Sequence, residues 1–390
     1  MGSGLSRVTY SFDFNIGMDV QMTQTRSFGP KGQAVAGLAA VLLATFVSVG
    51  GAMAQAQSAP SMPASAMAPA PLRPFQIISL DPAFDVLLAS DAKLETIVNI
   101  PGLNGEGPLW RKGKLWFSDQ KGGNLYELSM DGKYRVVAEQ AGGPIDPNLK
   151  MNQGPNGLVP FPGGVILMAR QSIRDIGIVD KNEKISSFIP NFEGKRFNSP
   201  NDMIVAKDGS MWFTDPPFSL PGYNQPPGNV SPPSRQIPFN GVFRYKIGKL
   251  TPVITDMNLP NGIGFSPDGK VLYVANTRPE MYVRAYDVAK DGTLSNMREF
   301  IHFAPDSPFG RGAPDGLKVD SQGNVWMTGP GGIIVIDPTG KMIGRIQLPA
   351  GSTNIAFGDA DYKSIFLTSG ANIYRIKTKV KGQIPMYAQP

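Results

Sequence analysis

The stretch NDMIVAKDGSMWFTD, residues 201–215, decides the fold. Two polar residues, Asn201 and Asp202, follow a proline and open a short apolar run. An Asp-Gly pair then reverses the chain, and a second apolar run closes on Trp212, Phe213, Thr214 and Asp215. Such a pair between two apolar runs marks a tight β-hairpin. The phrase recurs with drift: EGPLWRKGKLWFSD from Glu106, NGLVPFPGGVILMA from Asn156, NGIGFSPDGKVLYVAN from Asn261, DGLKVDSQGNVWMTG from Asp315 and NIAFGDADYKSIFLTS from Asn354. With Asn201 that makes six copies, whose lead residues lie 50, 45, 60, 54 and 39 residues apart. Two strands per phrase, with room for two more in each unit, match a propeller blade. Later segments such as NLYELSMDGKYRVVA, GVFRYKIGKLTPVIT and GIIVIDPTGKMIGRIQL alternate well enough to be outer strands. The expected class is all-β, a six-bladed β-propeller with four-stranded antiparallel blades around a central channel.

Composition agrees with many short strands. Of 390 residues, 41% are hydrophobic, enough for a sizeable core, while 45 Gly and 36 Pro imply frequent turns. Ahead of the repeats, residues 1–56 read as an N-terminal extension and signal peptide. The uncharged run AVAGLAAVLLATFVSVGGA follows Arg26 and Lys31, and Ala52-Met53-Ala54 and Ala54-Gln55-Ala56 offer small-x-small cleavage sites. An uncleaved membrane anchor is the competing reading. Met22 is the more ordinary start, which would leave residues 1–21 untranslated. Residues 57–74, rich in Ala, Pro and Ser, read as a flexible linker, and 75–390 as a single propeller. The expected location is periplasmic or secreted. There is no cysteine, which excludes disulfides, thiolate metal sites and cysteine nucleophiles. A net charge of +6, with no basic stripe interleaved with aromatics, argues against nucleic acid as a partner. No membrane association is expected once the leader is cleaved, and the oligomeric state is not specified.

If each lead residue starts an innermost strand, then Glu106, Asn156, Asn201, Asn261, Asp315 and Asn354 converge around the channel on one face. Asn and Asp also cap turns through their own backbone, which accounts for any single copy. Two carboxylates in a narrow polar ring, however, repel unless a cation lies between them. Oxygen donors from Glu, Asp and Asn suit a hard ion, and donors fixed on separate strands suit the wider shell of Ca²⁺ better than that of Mg²⁺. Coordination positions left for water or substrate would make it a Lewis-acid site. The insertion PPFSLPGYNQPPGNVSPPSRQIPFN, residues 216–240, is too proline-rich for the ladders and is expected over one face as a loop or lid.

GEGPLW, RFNSPND, WFTDPPF, GVFRY, LPNGIGFSPDGKVLYVAN, APDGLKVDSQGNVWMTGPGG and TNIAFG resemble the gluconolactonase/SMP-30 (regucalcin) family, from about residue 78 to 378. The resemblance implies a six-bladed propeller with one central divalent metal, usually Ca²⁺, that hydrolyses sugar or other lactones. Carried over, the metal ligands are Glu106, Asn201, Asn261 and Asp315. Asp202 would orient Asn201 or hold water. Arg196 and Asn198 match substrate-contacting positions at the rim, while Asn156 and Asn354 are ring members outside the ligand set that are candidates to touch substrate. The second unit departs from the family pattern: Arg170 and Gln171 stand where an acidic or His-containing strand is expected, and are candidates for that wall of the pocket.

The expected activity is metal-dependent lactone hydrolysis, with Asp315 as candidate base and Asp202 or a hydroxide on the metal as alternatives. A non-catalytic binding propeller with a structural calcium, or an organophosphate or ester hydrolase on the same site, are the other readings. His302 in FIHFAPD is expected to pack rather than react, no G-x-S-x-G elbow is present, and Trp110, Trp116, Trp212 and Trp326 are expected between blades.

Overall fold

The computed structural model describes residues 73–149, 151–223 and 230–388. The readings of residues 1–56, and of 57–74 apart from Arg73 and Pro74, lie outside the described residues. The chain first lays down β1 (Gln76–Ser79), a one-turn helix α1 (Pro82–Asp85) and β2 (Glu95–Asn99). Asp81 caps α1 by accepting the Ala83 N–H at 2.8 Å.

Six blades follow. Blade 1 holds β3 (Gly105–Arg111), β4 (Lys114–Asp119), β5 (Leu125–Leu128) and β6 (Tyr134–Ala138). Blade 2 holds β7 (Pro155–Phe161), β8 (Val165–Arg170), β9 (Asp175–Val179) and β10 (Ile185–Ile189). Blade 3 holds β11 (Met203–Val205), β12 (Met211–Asp215), β13 (Gly241–Lys246) and β14 (Lys249–Ile254). Blade 4 holds β15 (Pro260–Phe265), β16 (Val271–Asn276), β17 (Met281–Val288) and β18 (Leu294–Phe303). Blade 5 holds β19 (Leu317–Val319), β20 (Val325–Gly329), β21 (Gly332–Ile336) and β22 (Met342–Gln347). Blade 6 takes β23 (Asn354–Gly358), β24 (Ser364–Ser369) and β25 (Asn372–Lys377) from the end of the repeats. Each quoted phrase is thus the inner hairpin of a blade, and the fold is the six-bladed propeller that the repeat implies.

Two features had no signal in the turn phrases. The fourth strand of blade 6 is β2, antiparallel to β25 with Glu95 opposite Arg375 and Asn99 opposite Asn372. Arg375 holds Glu95 at 2.6 Å, so a strand from before blade 1 closes the ring. Meanwhile β1 adds a fifth strand to blade 5, along β22.

Inner and second strands are buried on both faces, because each blade is covered by its two neighbours. They therefore read as near-continuous apolar runs, while the outermost β18 is mostly exposed. The core lies between blades: Met203, Phe213 and Phe243 pack with Val159 and Leu167 across blades 2 and 3, and Trp212 meets Phe265 edge-on across blades 3 and 4. Trp110 stacks on Phe366 of blade 6 at 5.1 Å, Trp326 meets Phe357, and Trp116 is buried with Leu158 and Ile166 of blade 2. The expectation for the tryptophans holds. That for His302 does not: it stands exposed on β18, 3.3 Å from Glu299, because the outer edge of a blade has no neighbour to pack on.

The C-terminal segment crosses the end of the channel opposite the lead residues. Gln383 N–H donates to Val319 O and its Nε2 to Phe265 O at 2.8 Å, both at the far ends of inner strands. Above it lies an apolar cavity of about 140 Å³, lined by Leu109, Val159, Ile204, Val319 and Phe357 and closed by Gln383, Ile384 and Met386. Among the described residues no helix is long and apolar enough to cross a membrane.

Candidate functional site

Five of the six lead residues sit where inner strands break register with their partners or have not yet begun to pair, while Asn354 pairs in register with Thr368. The pairing shifts between Glu106 and Leu109, Pro155 and Leu158, and Pro260 and Ile263, while β11 and β19 only begin after Asn201-Asp202 and Asp315-Gly316. Such bulges re-aim a side chain away from the ladder, here toward the axis. In blades 1, 3 and 4 the loop before the lead is held by the polar residue ending the second strand. Asp119 Oδ1 accepts Asn104 N–H, Asp215 accepts the N–H groups of Asn198 and Ser199 at 2.8 and 2.7 Å, and Asn276 Oδ1 accepts Leu259 N–H at 2.8 Å.

Neighbouring inner strands then touch directly. Gly157 N–H donates to Asn201 O at 2.9 Å, Gly262 N–H to Asp315 O at 3.1 Å and Gly316 N–H to Thr353 O at 3.0 Å. Asn354 Nδ2 donates to Glu106 Oε2 at 3.0 Å, joining blade 6 to blade 1. A Cβ on Gly262 would lie 2.2 Å from Asp315 O, and one on Gly316 would lie 2.1 Å from Asn354 Cγ. Only glycine permits so close an approach around the axis.

The ring is buried and electrostatically strained. Glu106, Asn156, Asn201, Asn261 and Asn354 are almost fully buried, and Asp315 is half-buried. Burial pushes the Glu106 carboxyl up to about 7, the Asp202 charge adds to this, and hydrogen bonds from Gly107 and Asn354 oppose it. Asp315 is raised well above its ordinary value by burial and by the charges of Glu106 and Asp202, against a hydrogen bond from Asn261. The Oδ1 atoms of Asn201 and Asn261 and both amide atoms of Asn156 are buried with no hydrogen-bond partner. Such atoms are rare unless something else engages them.

One residue the sequence reading passed over completes this picture. Lys318, on β19, reaches into the channel, where its Nζ lies 3.3 Å from Asp202 Oδ2, 3.3 Å from Asn354 Oδ1 and 2.9 Å from Leu317 O. The other oxygen of Asp202 accepts Met203 N–H at 2.9 Å, so both of its oxygens are engaged. A lysine in the inner-strand phrase DGLKVD, where the other inner strands are apolar, was the available signal.

The remaining candidates stand farther out. Arg196 is exposed and donates to Ser172 O and Ile173 O. Asn198 is fully buried, and its Nδ2 braces Asp215 O, Phe239 O and Asn240 Oδ1. Arg170 makes a buried bidentate pair with Asp175, which also accepts from Ser187, and so it serves blade 2 internally. Gln171 is buried with both amide atoms unpartnered. From the 216–240 insertion, Tyr223 lies within electrostatic reach of Asp315 and Arg278.

Among the described residues no three His, Cys, Asp or Glu side chains group as a metal centre. The ring offers instead two carboxylates and unpartnered amide oxygens, a donor set that fits a hard cation. Its charge fits as well: with Glu106, Asp202 and Asp315 ionised and Lys318 protonated, two negative charges remain.

A profile of the SMP-30/gluconolactonase/LRE-like region matches residues 104–371. A gluconolactonase of Zymomonas mobilis is 31% identical over 319 residues, 79% of this chain and 87% of that protein. A gluconolactonase structure from Xanthomonas campestris superposes with a TM-score of 0.67 at 28% identity, covering 79% of this chain and 96% of that one. A calcium-binding regucalcin from Agrobacterium tumefaciens shares the fold at 20% identity, with a TM-score of 0.59 over 76% of this chain and 98% of its own. With two thirds of its length under that profile and a relative at this identity across nearly all of the repeats, the chain belongs to the SMP-30/gluconolactonase/LRE-like family.

Proposed function

We propose that the protein is a metal-dependent lactone hydrolase acting outside the cytoplasm, with one Ca²⁺ held on the propeller axis by Glu106, Asn201, Asn261 and Asp315. The observation that carries this is the buried ring itself, where unpartnered amide oxygens accompany two carboxylates that burial and mutual repulsion hold above their usual values, a strain that a divalent cation would relieve. The names of the relatives, gluconolactonases and a calcium-binding regucalcin, support the reaction and the metal. The apolar leader in residues 34–52 supports export to the periplasm or beyond.

A cation in this ring supplies Lewis-acid polarisation of the lactone carbonyl and compensates the charge that develops on its oxygen. The chain does the rest. Glu106 is fixed by the Gly107 and Asn354 donors, both on Oε2, which oppose the burial that disfavours its charge and aim it at the axis. Asp315, the more accessible carboxylate and within electrostatic reach of Tyr223, takes the proton of the attacking water. Asp202 has both oxygens engaged and serves as a support below the ring. Asn156, with both amide atoms unpartnered, and Asn354 line the ring for the lactone hydroxyls. Arg196, Asn198 and, from the insertion, Tyr223 are candidates to set the choice of substrate.

The test is hydrolysis of a panel of sugar lactones, aliphatic lactones and an organophosphate, with and without a chelator, by the native chain and by Asp315→Asn. Lactone turnover that chelation abolishes, that Ca²⁺ restores, and that Asp315→Asn lacks while keeping its near-UV circular dichroism, is the expected result. Turnover that persists after complete metal removal refutes the metal role. A folded, Ca²⁺-binding protein inert to every lactone is a binding propeller instead.

A further inference from the structure

Lys318 is a cationic side chain that reaches into the channel, and its surroundings are more specific than solvation requires. An ammonium has three donors and no acceptor. Here the three are met by a carboxylate, an amide oxygen and a backbone carbonyl: Asp202 Oδ2, Asn354 Oδ1 and Leu317 O. The Asp202 side chain is 4% exposed and that of Lys318 26%, so the pair is largely out of water.

Two consequences follow for the ring above. Because the ammonium can only donate, it fixes the Asn354 amide with Oδ1 toward the lysine, where Ile355 N–H also binds it. Nδ2 is thereby turned onto Glu106 Oε2. The ammonium also cancels one of the three carboxylate charges that act on each other across the axis. Without it the ring would carry three negative charges.

We propose that Lys318 is a resident cation of the channel, a positioning and selectivity residue that neutralises Asp202, orients Glu106 through Asn354, and sets the ring at the charge one divalent ion balances. This rests on the axial metal reading for its selectivity part, but its electrostatic part stands without it.

The experiment compares the native protein, Lys318→Met, and the double variant Lys318→Met/Asp202→Asn, whose ring charge returns to the native value. Removing one partner of a buried pair leaves the other uncompensated, whereas neutralising both is close to neutral. In chelator, Lys318→Met is expected to melt about 5–8 °C below the native protein, and the double variant to recover most of that loss. A lysine that mattered only for packing would leave the two variants equally unstable, and that result overturns the proposal. Calorimetric titration with Ca²⁺ and with La³⁺ supplies the second readout. Lys318→Met is expected to shift the preference toward the trivalent ion by about tenfold or more, as an extra unit of negative charge favours higher valence, and the double variant to return it to the native ratio. An unchanged ratio in Lys318→Met overturns the selectivity role. If the native chain binds neither ion, the axial metal reading fails, and the melting comparison alone decides the role of Lys318.

Discussion

Replacing Gly262 with alanine tests the axial geometry without touching any polar side chain. The new methyl would lie 2.2 Å from Asp315 O and 2.7 Å from Leu317 N, so β15 and β19 must part at the axis and the 3.1 Å bond from Gly262 N–H to Asp315 O is lost. Overpacking of this kind costs about 1–3 kcal/mol, and a buried backbone pair left unmade about 1–3 kcal/mol more. A total of ~2–6 kcal/mol against an unfolding entropy of about 2.1 cal/mol/K per residue, over ~300 residues, lowers the melting temperature by about 3–10 °C. Gly351→Ala is the control, because nothing lies within 4 Å of a Cβ there. Differential scanning calorimetry of both variants in chelator and in Ca²⁺ reads the effect. Since Asn261 and Asp315 flank the clash, Ca²⁺ should stabilise Gly262→Ala less than it stabilises the native protein. A Gly262→Ala protein that melts within a degree of Gly351→Ala, with the same response to Ca²⁺, would mean that these strands are not pressed together on the axis.

Stability without metal should fall as pH rises. Burial raises Glu106 and Asp215 from 4.5 and 3.8 to about 7 and raises Asp315 as well. Between those limits the folded protein keeps protons that the unfolded chain has already released, so stability is greatest below the ordinary carboxylate values and is lost as pH climbs through the folded ones. Chelated protein is therefore expected to melt higher at pH 5 than at pH 8, with Ca²⁺ reversing the order by favouring the ionised ring; equal melting temperatures at both pH values in chelator would contradict the burial argument. Glu106→Gln should keep the fold and weaken Ca²⁺ binding by about tenfold or more in calorimetric titration, and an unchanged affinity would remove Glu106 from the ligand set. Arg170→Ala strands Asp175, buried to 2% side-chain exposure, and should cost about 3–5 kcal/mol by denaturant unfolding with little change in Ca²⁺ affinity.

The sequence made the inner half of each blade legible because a tight turn leaves a chemical trace: Asp208-Gly209, Asp268-Gly269 and Gln322-Gly323 stand at matching points of three phrases. Strand exchange leaves none. The segments QIIS and ETIVN that form β1 and β2 are short and adjoin no diagnostic turn, and their partners lie about 270 to 280 residues away. The lead residues could be found because they share a position. Their partners could not: Lys318 reads as an ordinary strand lysine until Asp202 and Asn354 are brought beside it by other blades. Arg170 failed as a pocket residue for a related reason, since only the fold shows that Asp175, five residues on, turns back to bind it.

The ladder between β2 and β25 gives the molecule a seam, and the seam joins residues 280 positions apart in the chain. A split washer and a closed one are cut from the same sheet, but only the closed one keeps its bore round. The Glu95–Arg375 pair fastens β2 onto β25, so the ring of blades that surrounds the hub is completed by a strand laid down before blade 1. Affinity for whatever occupies the hub is therefore a remote gauge of whether that seam is fastened.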